Sequence, residues 1–155
     1  IRSSRGLAVT CDLTLSELIG TGDEAKKNAA LLAADTALAI VPGGVPNSRA
    51  LNGSAELHYF ITEIEKKGGL IAAICAAPAL VLGEWGLLKG KQFTCYPGMG
   101  KGLPTKPVTG ARVLRDGQFI TACGAGAAEE FAFALVEALY GEKKLDELKN
   151  SIVAR

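Results

Sequence analysis

The chain has 155 residues, of which 48% are hydrophobic and 21% are charged, and its formal net charge is +1. This length and composition are typical of a single soluble globular domain, residues 1–155, with a sizeable core. The balanced charge gives no support for nucleic-acid or membrane-surface binding, and no apolar run approaches the ~20 residues that a membrane-spanning helix needs.

The first third of the chain predicts two helices framed by strands. Residues 5–11 alternate weakly between apolar and polar side chains, which is typical of a strand or hairpin arm. Thr14 is placed to cap a short helix, and an alanine-rich helix with an acidic start is predicted from about Asp23. The apolar run 36–41 then ends at a Pro-Gly-Gly turn. Such a run is typical of a parallel strand buried between two helix layers.

The rest of the chain alternates further strands with helices. Leu57, Phe60, Ile61 and Ile64 follow the spacing of one apolar helix face, and Ser54 is placed to cap that helix. The patterns then predict a buried strand at 70–75, a helix at 78–86, a short strand at 91–97, a hairpin about Asp116-Gly117, and helices at 124–141 and 142–153. Strands that alternate with helices predict a layered α/β fold with a mostly parallel sheet.

Small residues follow three of the predicted strands. These loops are residues 42–44 (Pro-Gly-Gly), 75–77 (Cys-Ala-Ala) and 124–126 (Gly-Ala-Gly). Because ligands of such sheets bind beyond the carboxyl ends of the strands, we expect the three loops to line one pocket. Gly43, Gly44, Ala76 and Gly124 are therefore candidate substrate-binding residues.

The four cysteines, Cys11, Cys75, Cys95 and Cys123, form no C-x-x-C pair, and His58 is the only histidine. A structural zinc site needs clustered Cys and His ligands, so no metal site is predicted. The long apolar segments can build a core without disulfides. A reduced, cytoplasmic protein is therefore the simpler interpretation.

Cys75 lies where the strand LIAAIC turns into a helix, and this position favours a role as a reactive nucleophile. A side chain on such a bend is presented at the floor of the pocket, as the serine of a nucleophile elbow is. The helix that follows supplies unpaired N–H groups, which favour the reactive thiolate, and the amides of Gly44 and Ala76 are placed to stabilise an oxyanion. The alternative is that Cys75 is a buried small hydrophobe, as most free cysteines are.

Three segments carry a family resemblance: AIVPGG at 39–44, the run from KKGGLIAAICAAP to TCYPG at 66–98, and DGQFITACGAGAAEEF at 116–131. With them the chain resembles the ThiJ/PfpI superfamily, in the branch of the Parkinson-disease-associated cysteine protein. The A-x-C-x-x-P elbow with an upstream P-G-G loop is a specific combination. The resemblance implies a flavodoxin-like three-layer α/β sandwich, a homodimer, Cys75 as the reactive cysteine, and the Gly44 and Ala76 amides facing it.

The resemblance also implies an activity. It is that of a glutathione-independent glyoxalase or deglycase acting on 2-oxoaldehydes such as methylglyoxal, with Cys75 as nucleophile and no cofactor. A non-enzymatic redox-sensing, chaperone-like stress protein stays open as the alternative, because an accessible reactive thiol serves both roles. A peptidase of the superfamily would need a histidine near Cys75, and His58 lies within a predicted amphipathic helix.

The chain departs from the family pattern at several places. Members of the family begin with a strand–helix unit that supplies a central strand and an acid/base glutamate. The segment that begins at Ile1 matches the part of the family that follows this unit. We therefore expect a truncated, cleaved or incompletely represented chain. Glu17, Glu56 and Glu84 stand in other contexts and receive no such role. Ala125 stands where relatives often carry proline.

Two further residues are candidates near the pocket. Tyr96 stands where many relatives carry histidine, and it is either a hydrogen-bond donor to substrate or a pocket wall. Arg5 matches an arginine that lies near the dimer interface and the cysteine pocket in relatives. It is either an anion contact or a solvent-exposed side chain. Cys11, Cys95 and Cys123 are interpreted as structural, although Cys95 and Cys123 end strands that lead to the pocket.

Overall fold

The computed structural model describes residue 1 and residues 6–154. Its helices are α1 (Leu15–Ile19), α2 (Gly22–Ala34), α3 (Val45–Asn52), α4 (Ala55–Lys66), a π-helix (Pro78–Gly83), a short 3₁₀-helix (Ala125–Ala127), α5 (Ala128–Tyr140) and α6 (Glu142–Ser151). Its strands are β1 (Leu38–Val41), β2 (Leu70–Ile74), β3 (Val113–Asp116) and β4 (Phe119–Ala122). Within this described part of the chain, no helix has the length and apolar character needed to cross a membrane.

The four strands form one sheet in the order β1-β2-β4-β3. The pairs β1/β2 and β2/β4 are parallel, and β3/β4 is an antiparallel hairpin turned at Gly117, as predicted. The carboxyl ends of β1, β2 and β4 therefore meet at the same edge, which is where ligands of open α/β sheets bind.

Helices cover both faces of this sheet. Successive residues of β2 point to opposite sides: Ala73 packs in a core with α4 and the π-helix, whereas Ala72 packs in a core with α5. In the first core, Ile61 and Ile64 of α4 are almost fully buried. The mixed α/β sandwich with a mostly parallel open sheet confirms the predicted fold class.

The capped helices are confirmed because their signals are local. The hydroxyl of Thr14 accepts a hydrogen bond from the Glu17 amide, and the Glu17 carboxylate accepts one from the Thr14 amide, which makes a reciprocal capping box. The hydroxyl of Ser54 accepts a hydrogen bond from the Leu57 amide at the start of α4. Both hydroxyls satisfy a backbone N–H that the first helical turn leaves without a partner.

Four expectations differ from the structure. Residues 6–11 carry one β-bridge at Ala8 instead of a strand. β1 is not buried on both faces, since Ile40 is 52% exposed. Residues 91–95 form no strand, and a bend and a turn follow at 96 and 97; the amide of Thr94 donates to the side-chain oxygen of Thr121 instead of to a strand carbonyl. Finally, the helix predicted at 78–86 is a π-helix that ends at Gly83.

Candidate active site

Cys75 follows β2 directly and has a backbone conformation that is uncommon for its residue type. Its φ is +65°, and Val153 is the one other non-glycine among the described residues with positive φ. The Cys75 amide donates to the carbonyl of Ala122 (2.9 Å), and its own carbonyl accepts from the Tyr96 amide (2.8 Å). A left-handed residue with a β-carbon is strained by about 1 kcal/mol or more, and such residues cluster at functional sites.

The loop after β1 lies directly against this bend. A β-carbon built on Gly43 would lie 2.6 Å from the Cys75 β-carbon and 2.6 Å from the carbonyl oxygen of Ile74. Real β-carbons do not approach so closely, so only glycine fits at this position. The side-chain amide of Asn47 donates to the carbonyls of Pro42 and Gly43, at 3.1 Å each, and holds the loop in place.

The two predicted oxyanion donors flank the cysteine along the chain. Ala76 is 1% exposed and lies two residues before the buried π-helix, and the built Gly43 β-carbon would lie 3.4 Å from its amide nitrogen. Gly44 has φ +86° and is the N-cap residue of α3. The structure thus groups Gly43, Cys75 and Ala76, while the role of the Gly44 and Ala76 amides stays a prediction.

Tyr96 and Gly124 meet on the other side of Cys75. Tyr96 is half-exposed, and its ring carbon Cδ2 would lie 3.6 Å from a β-carbon on Gly124. The contact that joins Tyr96 to Cys75 runs through the backbone amide. A hydrogen bond from the phenol to substrate stays a prediction. Arg5, the predicted anion contact, lies outside the described residues.

An arginine that the sequence did not single out holds the third loop. The Arg112 guanidinium donates to the carbonyl of Gly126 and, at 2.8 and 2.9 Å, to both carboxylate oxygens of Glu130. These bonds tie the 124–126 loop to the start of α5. No local pattern marks Arg112 as a loop clamp, because its partners lie 14 and 18 residues away.

The carboxylates and the histidine weighed as acid/base groups are engaged away from Cys75. Their partners are as follows: Glu17 with Thr14, Glu56 with Ser54, Glu84 with Arg49 and Asn52, and His58 stacked on Trp85 with ring centroids 4.6 Å apart. The hydrogen bond from the Thr14 amide, followed by that from its hydroxyl, lowers the pKa of Glu17 below its usual value. The structure therefore gives these four side chains structural roles.

A second cysteine lies close to Cys75. Cys95 is 6% exposed, and its thiol donates to the carbonyl oxygens of Tyr96 and Met99, at 3.6 Å each. Burial raises the pKa of the Cys95 thiol to about 11, and negative charge on Cys75 adds to the rise. Cys95 and Cys123 also line one cavity of about 220 Å³ between the loops 94–99 and 107–111.

Most of the chain matches a known protein family. Residues 1–138 fit the model of the DJ-1/PfpI family. The chain belongs to the DJ-1/PfpI family. It is 39% identical over 120 residues to Protein DJ-1 homolog A of Arabidopsis thaliana, a match that covers 76% of this chain and 31% of that protein.

Two further DJ-1/PfpI relatives bear on the fold and on function. The chain is 34% identical over 117 residues to the glutathione-independent glyoxalase DJR-1.2 of Caenorhabditis elegans, covering 70% of this chain and 58% of that protein. A solved DJ-1 superfamily protein of Salmonella typhimurium superposes with a TM-score of 0.83 at 28% identity, covering 100% of this chain and 77% of the other. The chain thus spans about a third to six tenths of the length of these two curated relatives.

Proposed function

We propose that this protein is a cysteine-dependent, glutathione-independent glyoxalase that acts on 2-oxoaldehydes such as methylglyoxal. The observation that carries the proposal is the placement of Cys75 in a left-handed turn at the carboxyl end of β2, against the glycine loop after β1. The C. elegans relative that is named a glutathione-independent glyoxalase supports it. The same thiol chemistry extends the proposal to deglycase action on glycated groups.

The proposed reaction begins with a covalent adduct. The Cys75 thiolate attacks the aldehyde carbon and forms a hemithioacetal, while the amides of Gly44 and Ala76 hold its oxygen. A general base then moves a proton between the two substrate carbons, and hydrolysis releases a 2-hydroxy acid, which is lactate when methylglyoxal is the substrate. We assign this base to none of Glu17, Glu56, Glu84 and His58. The proposed mechanism uses no cofactor, and we propose a homodimer in the cytoplasm as its setting.

Lactate formation from methylglyoxal tests this function. We expect Cys75→Ser to lower the rate by about 100-fold or more, because serine is a far weaker nucleophile without an activating base. Cys11→Ser is the matched control: Cys11 is exposed and lies outside the site, so the rate should stay within about twofold. Equal rates in the wild-type chain and Cys75→Ser would overturn the glyoxalase proposal.

The second candidate function is a non-enzymatic, redox-sensing and chaperone-like protein. The partial exposure of the free Cys75 thiol favours it, because an oxidant can reach the sulfur. Lactate formation, measured together with the oxidation state of Cys75, separates the two candidates. A wild-type chain whose Cys75 oxidises readily but which forms no lactate supports the second function.

A further inference from the structure

Three of the four cysteines converge on the end of β2. The Cys75 amide is hydrogen-bonded to the residue before Cys123, and its carbonyl is hydrogen-bonded to the residue after Cys95. Cys75 thus lies between two segments that each carry a further free thiol. All three residues lie near the carboxyl ends of β2 and β4, and the proposed aldehyde chemistry uses one of their thiols.

Cys95 is the better placed partner of the two. The hydrogen bond between the Tyr96 amide and the Cys75 carbonyl is 2.8 Å long, and standard peptide dimensions then keep the α-carbons of Cys75 and Cys95 within roughly 7 Å. Disulfide-bonded cysteines have their α-carbons at about this distance or less. The charge of Cys75 also acts on the Cys95 thiol, which places the two sulfur atoms near each other. The amide of Cys123 instead donates a hydrogen bond to the backbone carbonyl of Arg112, the residue before β3.

We propose that Cys75 and Cys95 form a reversible intramolecular disulfide when Cys75 is oxidised by a hydroperoxide. The Cys75 thiolate attacks the peroxide, takes one oxygen to become a sulfenic acid, and releases an alcohol or water after protonation. The Cys95 sulfur then attacks the Cys75 sulfur, the S–O bond breaks, the thiol proton leaves with the hydroxyl as water, and the S–S bond forms. An external dithiol restores both thiols and is itself oxidised to a disulfide.

The surroundings of Cys95 give this pair an order of reaction. In the reduced protein, burial disfavours the Cys95 thiolate and shields the sulfur, whereas Cys75 is partly exposed, so Cys75 is the thiol that meets the oxidant. A thiolate at Cys75 adds to the rise in the pKa of the Cys95 thiol, and a neutral sulfenic acid at Cys75 does not, so ionisation of Cys95 is easier once Cys75 has been oxidised. The disulfide competes with further oxidation of Cys75 to the sulfinic acid, which a simple dithiol does not reverse.

A peptide map under non-reducing conditions tests the proposal without reference to aldehyde turnover. The full chain is treated with one equivalent of hydrogen peroxide, its remaining thiols are blocked, and it is digested with trypsin. Lysine and arginine residues separate all four cysteines onto different peptides, so each possible linkage has its own mass. We expect a linked pair of peptides carrying Cys75 and Cys95, lighter by two hydrogen atoms than their sum and released by a dithiol.

Two variants sharpen the result. In Cys95→Ser, Cys75 should carry two added oxygen atoms at about fivefold the wild-type level, since nothing intercepts the sulfenic acid. In Cys123→Ser, the matched control, the Cys75–Cys95 linkage should form as in the wild type. A Cys75–Cys123 linkage, a wild-type Cys75 that goes only to the sulfinic acid, or no oxidation of Cys75 would each overturn the proposal. The wild-type map alone decides the matter if a variant fails to fold.

Discussion

At the residue scale, Cys75 and Cys95 show how one residue type acquires two different environments in one region. Cys75 lies on a strained bend and is partly exposed, whereas Cys95 is buried and donates its thiol hydrogen to two carbonyls. The backbone around each residue sets this difference: Cys75 follows the last residue of β2 directly, and Cys95 lies in the core in a segment that forms no strand. The buried thiol therefore affects stability at high pH.

The stability of the protein should fall with pH through the ionisation of Cys95. Its folded-state pKa is about 11 against 9.0 in the unfolded chain, so the folded state keeps the proton longer. The stabilising contribution is full below pH 9 and is lost as the pH rises through 11, and it is on the order of 2 kcal/mol. We expect the difference in free energy of unfolding between the wild type and Cys95→Ala to shrink by this amount between pH 8 and pH 11.5.

Urea denaturation at a series of pH values measures this difference and cancels the lysine, tyrosine and other cysteine titrations that both proteins share. A difference that stays constant over that range would show that the Cys95 thiolate is not disfavoured in the fold.

The sequence predicts part of the candidate site at this scale. The sequence predicts that the loops with Gly43 and Cys75 line one pocket, because both loops follow strands of a parallel sheet, and the parallel register of β1 and β2 brings them together. Asn47 and Arg112 were not predicted. Each acts by donating to loop carbonyls, and a polar side chain that binds a backbone oxygen leaves no periodicity in the sequence.

At the scale of elements, α4 shows how a local signal becomes a stable helix. Ser54 satisfies the Leu57 amide, and Ile61 and Ile64 lie on the face that packs in the core. Ser54→Ala should lower the free energy of unfolding by about 1 kcal/mol, since the amide loses its partner in the first turn. Urea denaturation should show a lower midpoint with an unchanged slope.

Ser54→Thr is the matched change, since threonine keeps the capping hydroxyl. It should stay within about 0.5 kcal/mol of the wild type. If the alanine and threonine variants lose equal stability, the capping bond is not the cause of the loss.

The elements that sequence analysis missed depend on distant partners. α3 begins with Val45 and Pro46 and has no clear apolar face, but Arg49 and Asn52 bind Glu84 at the end of the π-helix. The segment 91–97 has the apolar content of a strand, yet its backbone bonds go to a side chain and to loops. The π-helix differs from an α-helix in hydrogen-bond spacing, which composition does not encode.

At the scale of the whole molecule, the order of strands leaves β1 at an edge of the described sheet. β1 pairs with β2 on one side, and Ile40 is half-exposed. An unpaired apolar edge is a template for pairing with another chain. Ile40→Lys should therefore reduce self-association of the 155-residue chain severalfold, and it should change the free energy of unfolding by less than about 0.5 kcal/mol.

Sedimentation at a series of concentrations measures this association. Ile152→Lys is a close control, because Ile152 is also 52% exposed but lies at the end of α6, away from the sheet. An equal reduction in both variants would attribute the effect to added charge instead of to the edge of β1.

Because the backbone at Cys75 is left-handed, selection for stability and selection for thiol reactivity favour different residues at this position. A β-carbon at this φ costs about 1 kcal/mol that glycine avoids. Among random replacements at position 75, a screen for yield or thermal survival will enrich glycine, whereas a screen for thiol reactivity will retain cysteine alone. A homologue that is no longer selected for thiol reactivity would therefore lose this cysteine early and keep its fold.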